Sequence, residues 1–197
     1  MTRSRIFLTG VGGQGTLTAT TLLARTVMDE GLPVTSGEIH GMAQRGGVVE
    51  STVLVGGYMS PKIGPGEANV LLGFELLETL RALPMLAPKG VVVGNSESVP
   101  PLSVSLGKEA YPELDHVRTK AEACAAKAFF TPCKTLAEQA GNLQSANTVL
   151  LGAACALGVL PFGLEALERS IKKYLKPKIV ECNLKALALG AQSAAGA

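Results

Sequence analysis

The sequence predicts an α/β fold, a three-layer sandwich with a mostly parallel sheet, formed as a single domain over residues 1–189. Three observations predict it. Short apolar segments alternate with amphipathic ones, a glycine-rich turn joins the first strand to the first helix, and a length of 197 residues suits one domain. Residues 190–197, Gly-Ala-Gln-Ser-Ala-Ala-Gly-Ala, are expected to form a frayed tail.

Each predicted element follows from a local pattern. The strands are short apolar segments bounded by turn residues, and they cover residues 4–9, 33–37, 48–55, 70–73, 91–95 and 127–131. The helices carry apolar side chains at three- and four-residue spacing, and they cover residues 16–30, 75–86, 114–126, 135–140, 147–157 and 164–175. Residues 38–47 and 98–112 are predicted loops. The order strand, turn, helix, strand at the start of the chain predicts a parallel βαβ unit.

Composition excludes several classes of protein. Apolar residues make up 47% of the chain and charged residues 17%, which excludes disorder. No apolar run reaches the roughly 18 residues of a membrane span, and a net charge of +2 without a basic cluster leaves no footprint for nucleic acid. The N-terminus lacks the apolar core of a signal peptide, so we expect a cytoplasmic protein. The scarcity of charge suggests that a partner covers part of the surface.

The four cysteines are Cys124, Cys133, Cys155 and Cys182, and their spacing does not suit a metal site. No pair has the close spacing that iron–sulfur clusters and structural zinc usually need. We interpret them as buried or incidental thiols of a reducing compartment. We therefore expect the chain to bind no metal or cofactor by itself.

The glycine turn, Gly10-Val-Gly-Gly-Gln-Gly15, has the spacing Gly-x-Gly-x-x-Gly between a strand and a helix. In a Rossmann-like fold these glycines allow a tight turn, close approach of a ligand to the backbone and close packing of helix on strand. The N-terminus of the following helix offers N–H groups to an anion, and Glu38 lies about where a ribose-binding carboxylate is expected. The same turn also occurs as a structural link or a contact with a partner subunit, so the motif alone leaves nucleotide binding open.

The second loop, Glu38-Ile-His-Gly-Met-Ala-Gln-Arg-Gly-Gly47, concentrates a carboxylate, an imidazole, an amide and a guanidinium among glycines. Polar groups at the C-terminal edge of a parallel sheet usually face a ligand or a partner, because crevices form there. His40 and Arg45 are each compatible with a structural role as well as with a binding role.

Together the two loops resemble the gamma-type subunits of 2-oxoacid:ferredoxin oxidoreductases, the pyruvate/ketoisovalerate oxidoreductase family, and within it the indolepyruvate type most closely. A third segment, Gly141-Asn-Leu-Gln-Ser-Ala-Asn147-Thr-Val-Leu-Leu-Gly152, is similar to the stretch that precedes a buried helix in this family. The resemblance spans about residues 5–175. It implies a Rossmann-like subunit, inactive alone, of an enzyme that oxidatively decarboxylates a 2-oxoacid to acyl-coenzyme A.

The resemblance also implies partners and site residues. In this family thiamine diphosphate and iron–sulfur clusters are held mainly by other subunits or domains, and electrons leave to ferredoxin, so this chain is expected to form a wall of the active site in a hetero-oligomer. Coenzyme A is expected in the holoenzyme. No catalytic residue is assigned. The residues expected to face a ligand or the partner are Gly12, Gly13, Gln14, Gly15, Glu38, His40, Gly41, Met42, Gln44, Arg45, Gly46 and Asn147.

Three of these side chains have expected roles. Gln14, with the glycine N–H groups, is expected to meet an anion or a carbonyl of the partner. Arg45 suits a carboxylate or a phosphate, which a guanidinium binds through two hydrogen bonds. Glu38 is expected to orient His40 or Arg45. The resemblance leaves open which 2-oxoacid is the substrate.

A stand-alone nucleotide-binding module, or a nicotinamide-dependent reductase, is the alternative. Tyr58 and Lys62, and again Tyr174 and Lys178, have the Tyr-x-x-x-Lys spacing that places both side chains of a short-chain dehydrogenase on one helix face. A proline inside each copy breaks the helix that this geometry needs. We interpret both copies as chance.

Overall fold

The structure is a computed structural model that describes residues 3–40 and 47–196, and these residues form six strands, eight α-helices and the two short 3-10 helices Leu83–Met85 and Leu143–Ser145. The strands are β1 (Ser4–Val11), β2 (Val34–His40), β3 (Val48–Val55), β4 (Ala68–Gly73), β5 (Leu86–Asn95) and β6 (Lys127–Thr131). The helices are α1 (Thr16–Asp29), α2 (Leu76–Ala82), α3 (Leu102–Ser105), α4 (Leu114–Cys124), α5 (Cys133–Gln139), α6 (Ala146–Ala156), α7 (Leu164–Tyr174) and α8 (Pro177–Ser193). Within these described ranges, no helix is long and apolar enough to cross a membrane.

The six strands form one sheet in the order β2-β3-β1-β4-β5-β6. Strands β1, β4, β5 and β6 pair in parallel, whereas β3 pairs antiparallel with both β1 and β2. The mostly parallel α/β sheet is therefore confirmed. The βαβ unit at its start needs a correction, because β3 lies between β1 and β2 and separates the two strands that α1 connects.

Helices cover both faces of the sheet and give three layers. In β1, Ile6 and Leu8 point to the face covered by α1, α6 and α8, whereas Phe7 points to the face covered by α2 and α4. All three side chains are buried. A strand that is buried on both faces has a continuous apolar sequence instead of an alternating one, which is the pattern that predicted these strands.

Helices α6 and α8 cross with their backbones in direct contact. A Cβ atom at Gly152 would lie 2.1 Å from the carbonyl oxygen of Leu187, and one at Gly190 would lie 1.9 Å from the carbonyl oxygen of Val149. Real Cβ atoms do not approach backbone oxygens this closely, so both positions require glycine. The apolar α6 is consequently buried between the sheet and α8.

Several segments differ from their predictions. The helix predicted over 75–86 ends at Ala82, strand β5 begins at Leu86 instead of residue 91, and no helix was predicted where α8 lies. Helix α8 continues to Ser193, whereas we expected the tail to begin at residue 190, because Gly190 packs on α6 and Thr131 Oγ1 at the end of β6 donates to Ser193 Oγ at 2.9 Å. Strand β2 extends to His40, three residues into the predicted second loop, because Glu38 and His40 pair with Ser51 and Val49 of β3. The predicted loop 98–112 contains the short helix α3.

Candidate functional site

The glycine turn lies at the C-terminal edge of the sheet, between β1 and α1. Gly13 and Gly15 adopt φ values of +104° and +77°, which only glycine adopts readily. The side chain of Gln14 folds back into the turn, where its Oε1 atom accepts the N–H of Val11 at 2.9 Å. Gln14 therefore uses its amide oxygen to fasten the turn, whereas the expected contact to an anion or a carbonyl would be made by its amide N–H group.

Asn147 links the glycine turn to α6, although the two lie 132 residues apart in the chain. Its Nδ2 atom donates to the carbonyl oxygen of Gly15 at 3.0 Å, and its Oδ1 atom accepts the N–H of Thr148 at 2.8 Å. The side chain is buried. A buried amide with both ends bonded holds the turn in one position, because breaking either bond leaves a desolvated polar group.

The hydrogen-bonded chain continues from Asn147 into α8. The hydroxyl of Thr148 donates to Oδ1 of Asn183 at 2.6 Å, and Nδ2 of Asn183 donates to the carbonyl oxygen of Ile179 at 2.8 Å. Asn183 was not predicted as part of the site. The only signal in the sequence is a polar amide on a helix that is otherwise apolar on that face.

The start of α1 leaves backbone donors at the same edge of the sheet. Gly15 is the N-cap, the first intrahelical bond runs from Ala19 N–H to Gly15, and no side chain from the described part of the molecule caps the helix. The N–H groups of the first turn, before Ala19, have no acceptor within the helix. They carry the partial positive charge of the helix N-terminus. Gly13, which is exposed, lies where three recesses of about 250, 450 and 330 Å³ meet.

The second loop meets the glycine turn at its described end. The N–H of Gly12 donates to the carbonyl oxygen of Gly47 at 2.8 Å. Glu38 lies on the edge strand β2, where its side chain is exposed, and the backbone of His40 pairs with Val49. Five predicted site residues lie outside the residues that the structure describes, and they are Gly41, Met42, Gln44, Arg45 and Gly46. Of the predicted set, the structure thus brings together the glycine turn, Asn147 and the end of the second loop.

The inserted strand β3 changes the position of Glu38 relative to the glycine turn. In a dinucleotide site the ribose-binding carboxylate ends the strand next to β1. Here β3 is that neighbour, and Glu38 is one strand further away, which is about 10 Å from β1 at the usual spacing of strands. The arrangement therefore does not support the nicotinamide-nucleotide alternative.

A cluster of acidic side chains follows β4 on the other side of the sheet edge, and the sequence did not predict it. Glu75 is fully buried, and its carboxylate accepts the N–H of Glu78 at 2.8 Å and the hydroxyl of Tyr111 at 2.5 Å. The carboxylate of Glu78 is also buried, and it accepts a hydrogen bond from Nη1 of Arg81 at 2.7 Å. Burial raises the pKa of Glu78, although Arg81 opposes the shift. A signal was present in Glu75-Leu-Leu-Glu78, since a carboxylate at each of these positions suits the start of a helix.

We expect Glu78 to give the stability of the chain a defined pH dependence. Because its pKa is raised in the folded state, the folded chain keeps a proton that the unfolded chain loses near pH 4, and the associated stability is lost as the pH rises. The free energy of unfolding of Glu78→Gln should therefore improve relative to the unsubstituted chain as the pH rises above about 4. Urea denaturation across this range measures the difference.

Glu109→Gln is the matched control for this prediction. Hydrogen bonds from Ser103 and Arg81 lower the pKa of Glu109, so its stabilising contribution is present at neutral pH and is lost on acidification. The free energy of unfolding of Glu109→Gln, relative to the unsubstituted chain, should thus fall as the pH rises. The raised pKa is contradicted if the difference in the free energy of unfolding between Glu78→Gln and the unsubstituted chain does not change with pH. It is also contradicted if that difference changes in the same direction as the difference for Glu109→Gln.

The cysteines and the other side chains that bind metals lie apart. Cys133 and Cys155 are buried, and burial raises the pKa of both thiols, to about 12 for Cys155. Within residues 3–40 and 47–196, no three His, Cys, Asp or Glu side chains lie close enough together to hold a metal ion. The described residues therefore do not fit an iron–sulfur cluster.

Comparison with known proteins identifies relatives along the whole chain. The family model described as pyruvate ferredoxin/flavodoxin oxidoreductase matches residues 5–193. The chain is 39% identical to the indolepyruvate oxidoreductase subunit IorB of Archaeoglobus fulgidus over 95% of this chain and 94% of that protein. It is 38% identical to the IorB subunit of Pyrococcus horikoshii over 98% of this chain and 97% of that one.

Two solved structures share the fold. The gamma subunit of a keto/oxoacid ferredoxin oxidoreductase from Geobacter sulfurreducens superposes with a TM-score of 0.71 at 24% identity, over 98% of this chain and 99% of that chain. The 2-oxoglutarate:ferredoxin oxidoreductase of Magnetococcus marinus superposes with a TM-score of 0.76 at 17% identity, and the match covers all of this chain but 32% of that one. In the second case the chain corresponds to one part of a longer polypeptide.

Proposed function

Because the chain belongs to the pyruvate ferredoxin/flavodoxin oxidoreductase family, we propose that it forms a wall of the active site in an enzyme that oxidatively decarboxylates an indolepyruvate-type 2-oxoacid to its acyl-coenzyme A. The chain is a subunit of a 2-oxoacid:ferredoxin oxidoreductase. The choice of indolepyruvate rests on the relatives named for that substrate, at 39% and 38% identity over nearly the full length. Two relatives named as ketoisovalerate oxidoreductase subunits are more distant, at 28% and 25% identity.

The single observation that carries the proposal is the contact between the two motif loops. Gly12 and Gly47 join the glycine turn to the second loop through one backbone hydrogen bond. The glycine turn and the described end of the second loop thus adjoin in one surface at the C-terminal edge of the sheet, where ligands of open α/β sheets bind. Gln14 and Asn147 hold this surface in place from below.

The proposal assigns the cofactors to the partner subunit. Supporting this assignment, no three His, Cys, Asp or Glu side chains of the described residues lie close enough together to hold a metal ion. When bound to the partner, thiamine diphosphate would supply the carbanion chemistry and iron–sulfur clusters would pass the electrons on to ferredoxin. The residues of this chain would bind and orient: N–H groups at the start of α1 attract an anionic group, and the rigid turn excludes water from its side of the site.

Reconstitution tests the proposal. Ferredoxin or dye reduction would be measured with indolepyruvate and coenzyme A, using this chain alone, the cofactor-carrying partner alone and the two together. We expect activity in the mixture that exceeds the sum of the separate activities. Turnover by this chain alone would contradict the proposal. So would a raised melting temperature with NAD and none with the partner, since a ligand or partner that binds the folded state stabilises it.

The second loop can be tested through Arg45, which lies outside the described residues. We expect Arg45→Ala to lower turnover or partner affinity by about tenfold or more, because removing one charge of a buried interfacial pair costs about 2–5 kcal/mol. The melting temperature of the isolated chain should not change. Arg118→Ala is the control, since Arg118 lies on the surface of α4 beside the exposed Asp115. Equal activity of the two variants would argue against a functional second loop.

A further inference from the structure

A recess of about 450 Å³ opens beside Gly13 at the C-terminal edge of the sheet. Phe74, Val99 and Pro100 form an apolar side of this recess, and Gln14 of the glycine turn adds a polar group. Small-molecule sites of this size are mostly apolar with a few polar groups, and in open α/β sheets they lie beyond the carboxyl ends of the strands. The recess therefore has the size, the lining and the position of a substrate site.

Two consecutive prolines make the Val99 side of the recess stiff. Pro101 has φ of −63° and ψ of 165°, an extended conformation, and a residue that precedes a proline is itself restricted to extended backbone. Because proline has no N–H, Val99 carries the one backbone donor of residues 99–101. The group that accepts from this donor therefore decides where the stiff segment lies.

The acceptor is the hydroxyl of Tyr111, which arrives from the other end of the connection between β5 and α4. This hydroxyl accepts the N–H of Val99 at 3.1 Å and donates its own proton to the carboxylate of Glu75 at 2.5 Å. Burial raises the pKa of Tyr111 to about 12, so the hydroxyl keeps its proton at neutral pH. Tyr111 thus links the Val99 side of the recess to Glu75.

Glu75 gives the hydroxyl a fixed anchor. It is fully buried, and its other carboxylate oxygen accepts the N–H of Glu78 at 2.8 Å. Its carbonyl oxygen accepts the N–H and the hydroxyl of Thr79 at 2.9 and 2.6 Å. Phe74, the preceding residue, lies on the apolar side of the recess. The bonds from Glu75 through Tyr111 to Val99 therefore fix the distance between Phe74 and Val99.

We propose that Tyr111 is a positioning residue of the enzyme, which sets the width of the recess beside Gly13 through Val99 so that an organic substrate of the reaction fits there. The proposal rests on the proposed function, since the reaction is taken from there. Tyr111 touches no reacting atom in this role. It acts through the backbone of Val99, and its loss affects substrate binding more than the chemical step.

Tyr111→Phe tests this role by steady-state kinetics of the reconstituted complex, with indolepyruvate and coenzyme A varied in turn. We expect the KM for one of the two to rise by about three- to tenfold, the range that one hydrogen bond provides. The kcat should stay within about twofold, because a loss of uniform binding raises KM alone. Tyr174→Phe is the matched control, since the hydroxyl of Tyr174 donates to the exposed Asp29 at 2.8 Å. Its KM values should match those of the unsubstituted chain.

A double variant separates positioning from stability. Tyr111→Phe leaves the buried carboxylate of Glu75 without its hydroxyl partner, which lowers the melting temperature. Adding Glu75→Gln removes the desolvated charge, so we expect the melting temperature to recover in part and the double variant to stay folded. The KM should remain raised, because the N–H of Val99 still lacks its acceptor. Recovery of the KM together with the melting temperature would overturn the proposal.

Val99→Ala tests whether Tyr111 acts through Val99. In that background the effect of Tyr111→Phe on the same KM should be smaller, because changes that act through one contact are not additive. Full additivity would contradict the proposal, as would unchanged KM values in Tyr111→Phe or a fall in kcat with no change in KM. A mixture that is inactive with the unsubstituted chain would instead count against the proposed function itself.

Discussion

Replacing Gly190 with alanine is expected to destabilise the chain by about 3 kcal/mol or more, at the upper end of the range for overpacked cores. The added Cβ atom would lie 1.9 Å from the carbonyl oxygen of Val149. Neither backbone can yield locally, because Gly152 of α6 approaches Leu187 of α8 equally closely. The two helices must separate, and the buried face of α6 loses contacts along its length. For a chain of this size the melting temperature should fall by roughly 6–12 °C.

The matched control for this prediction is Gly163→Ala. Gly163 is the N-cap of α7, with φ of −88° and no heavy atom of the described residues within 4 Å of the added Cβ. The melting temperature of the Gly163→Ala variant should change by no more than a few degrees, since alanine is a poorer N-cap than glycine by less than about 1 kcal/mol. Calorimetry or urea denaturation of both variants measures the contrast. Equal stability of the two would mean that α6 and α8 are not packed backbone to backbone.

Replacing Gly15 with alanine should have the second-largest effect, because it changes both the fold and the proposed active-site wall. Its φ of +77° costs alanine about 1–2 kcal/mol. The added Cβ would lie 2.6 Å from Nδ2 of Asn147, and displacing that buried amide from its partner costs a further 1–3 kcal/mol or so. We expect a loss of stability of about 2–5 kcal/mol and at least about a tenfold loss of turnover in the reconstituted enzyme at a temperature where the variant is folded.

Gly31→Ala isolates the contact with Asn147 from the cost of the backbone conformation. Gly31 follows the other end of α1 with φ of +71°, and an added Cβ meets no heavy atom of the described chain within 4 Å. Its variant should show the cost of positive φ alone and should leave turnover unchanged. If both variants lose the same stability and neither loses turnover, the bond from Asn147 does not position the glycine turn for function.

Segments with strong local patterns were predicted closely. Residues 48–55 and 127–131 are strands with the predicted bounds, and the helix predicted from Thr16 begins there and ends one residue early. In each of these segments the spacing of the apolar residues fits only one type of secondary structure over the whole length. Helix α8 was missed, because its apolar residues are interrupted by polar ones and its role depends on α6.

The candidate site was predicted in part for the same reason. The glycine turn, the second loop and the segment around Asn147 each carry a local motif, and the structure joins Asn147 and the end of the second loop to the turn by single hydrogen bonds. The cluster of Glu75, Glu78 and Arg81 carries only a local signal for the start of a helix, and that signal does not indicate burial. It acquires its character from burial and from Tyr111, which arrives from a distant segment.

The sequence by itself determined the α/β class, most strands and helices, and the identity of the motif loops, because these depend on side-chain periodicity and glycine placement within a few residues. Only the tertiary structure decided that β3 inserts antiparallel between β1 and β2, that α8 packs on α6, and that Tyr111 reaches the buried Glu75 at the start of α2. Strand order and helix contact depend on which distant surfaces bury each other. Such long-range pairing leaves no periodic trace in either partner alone.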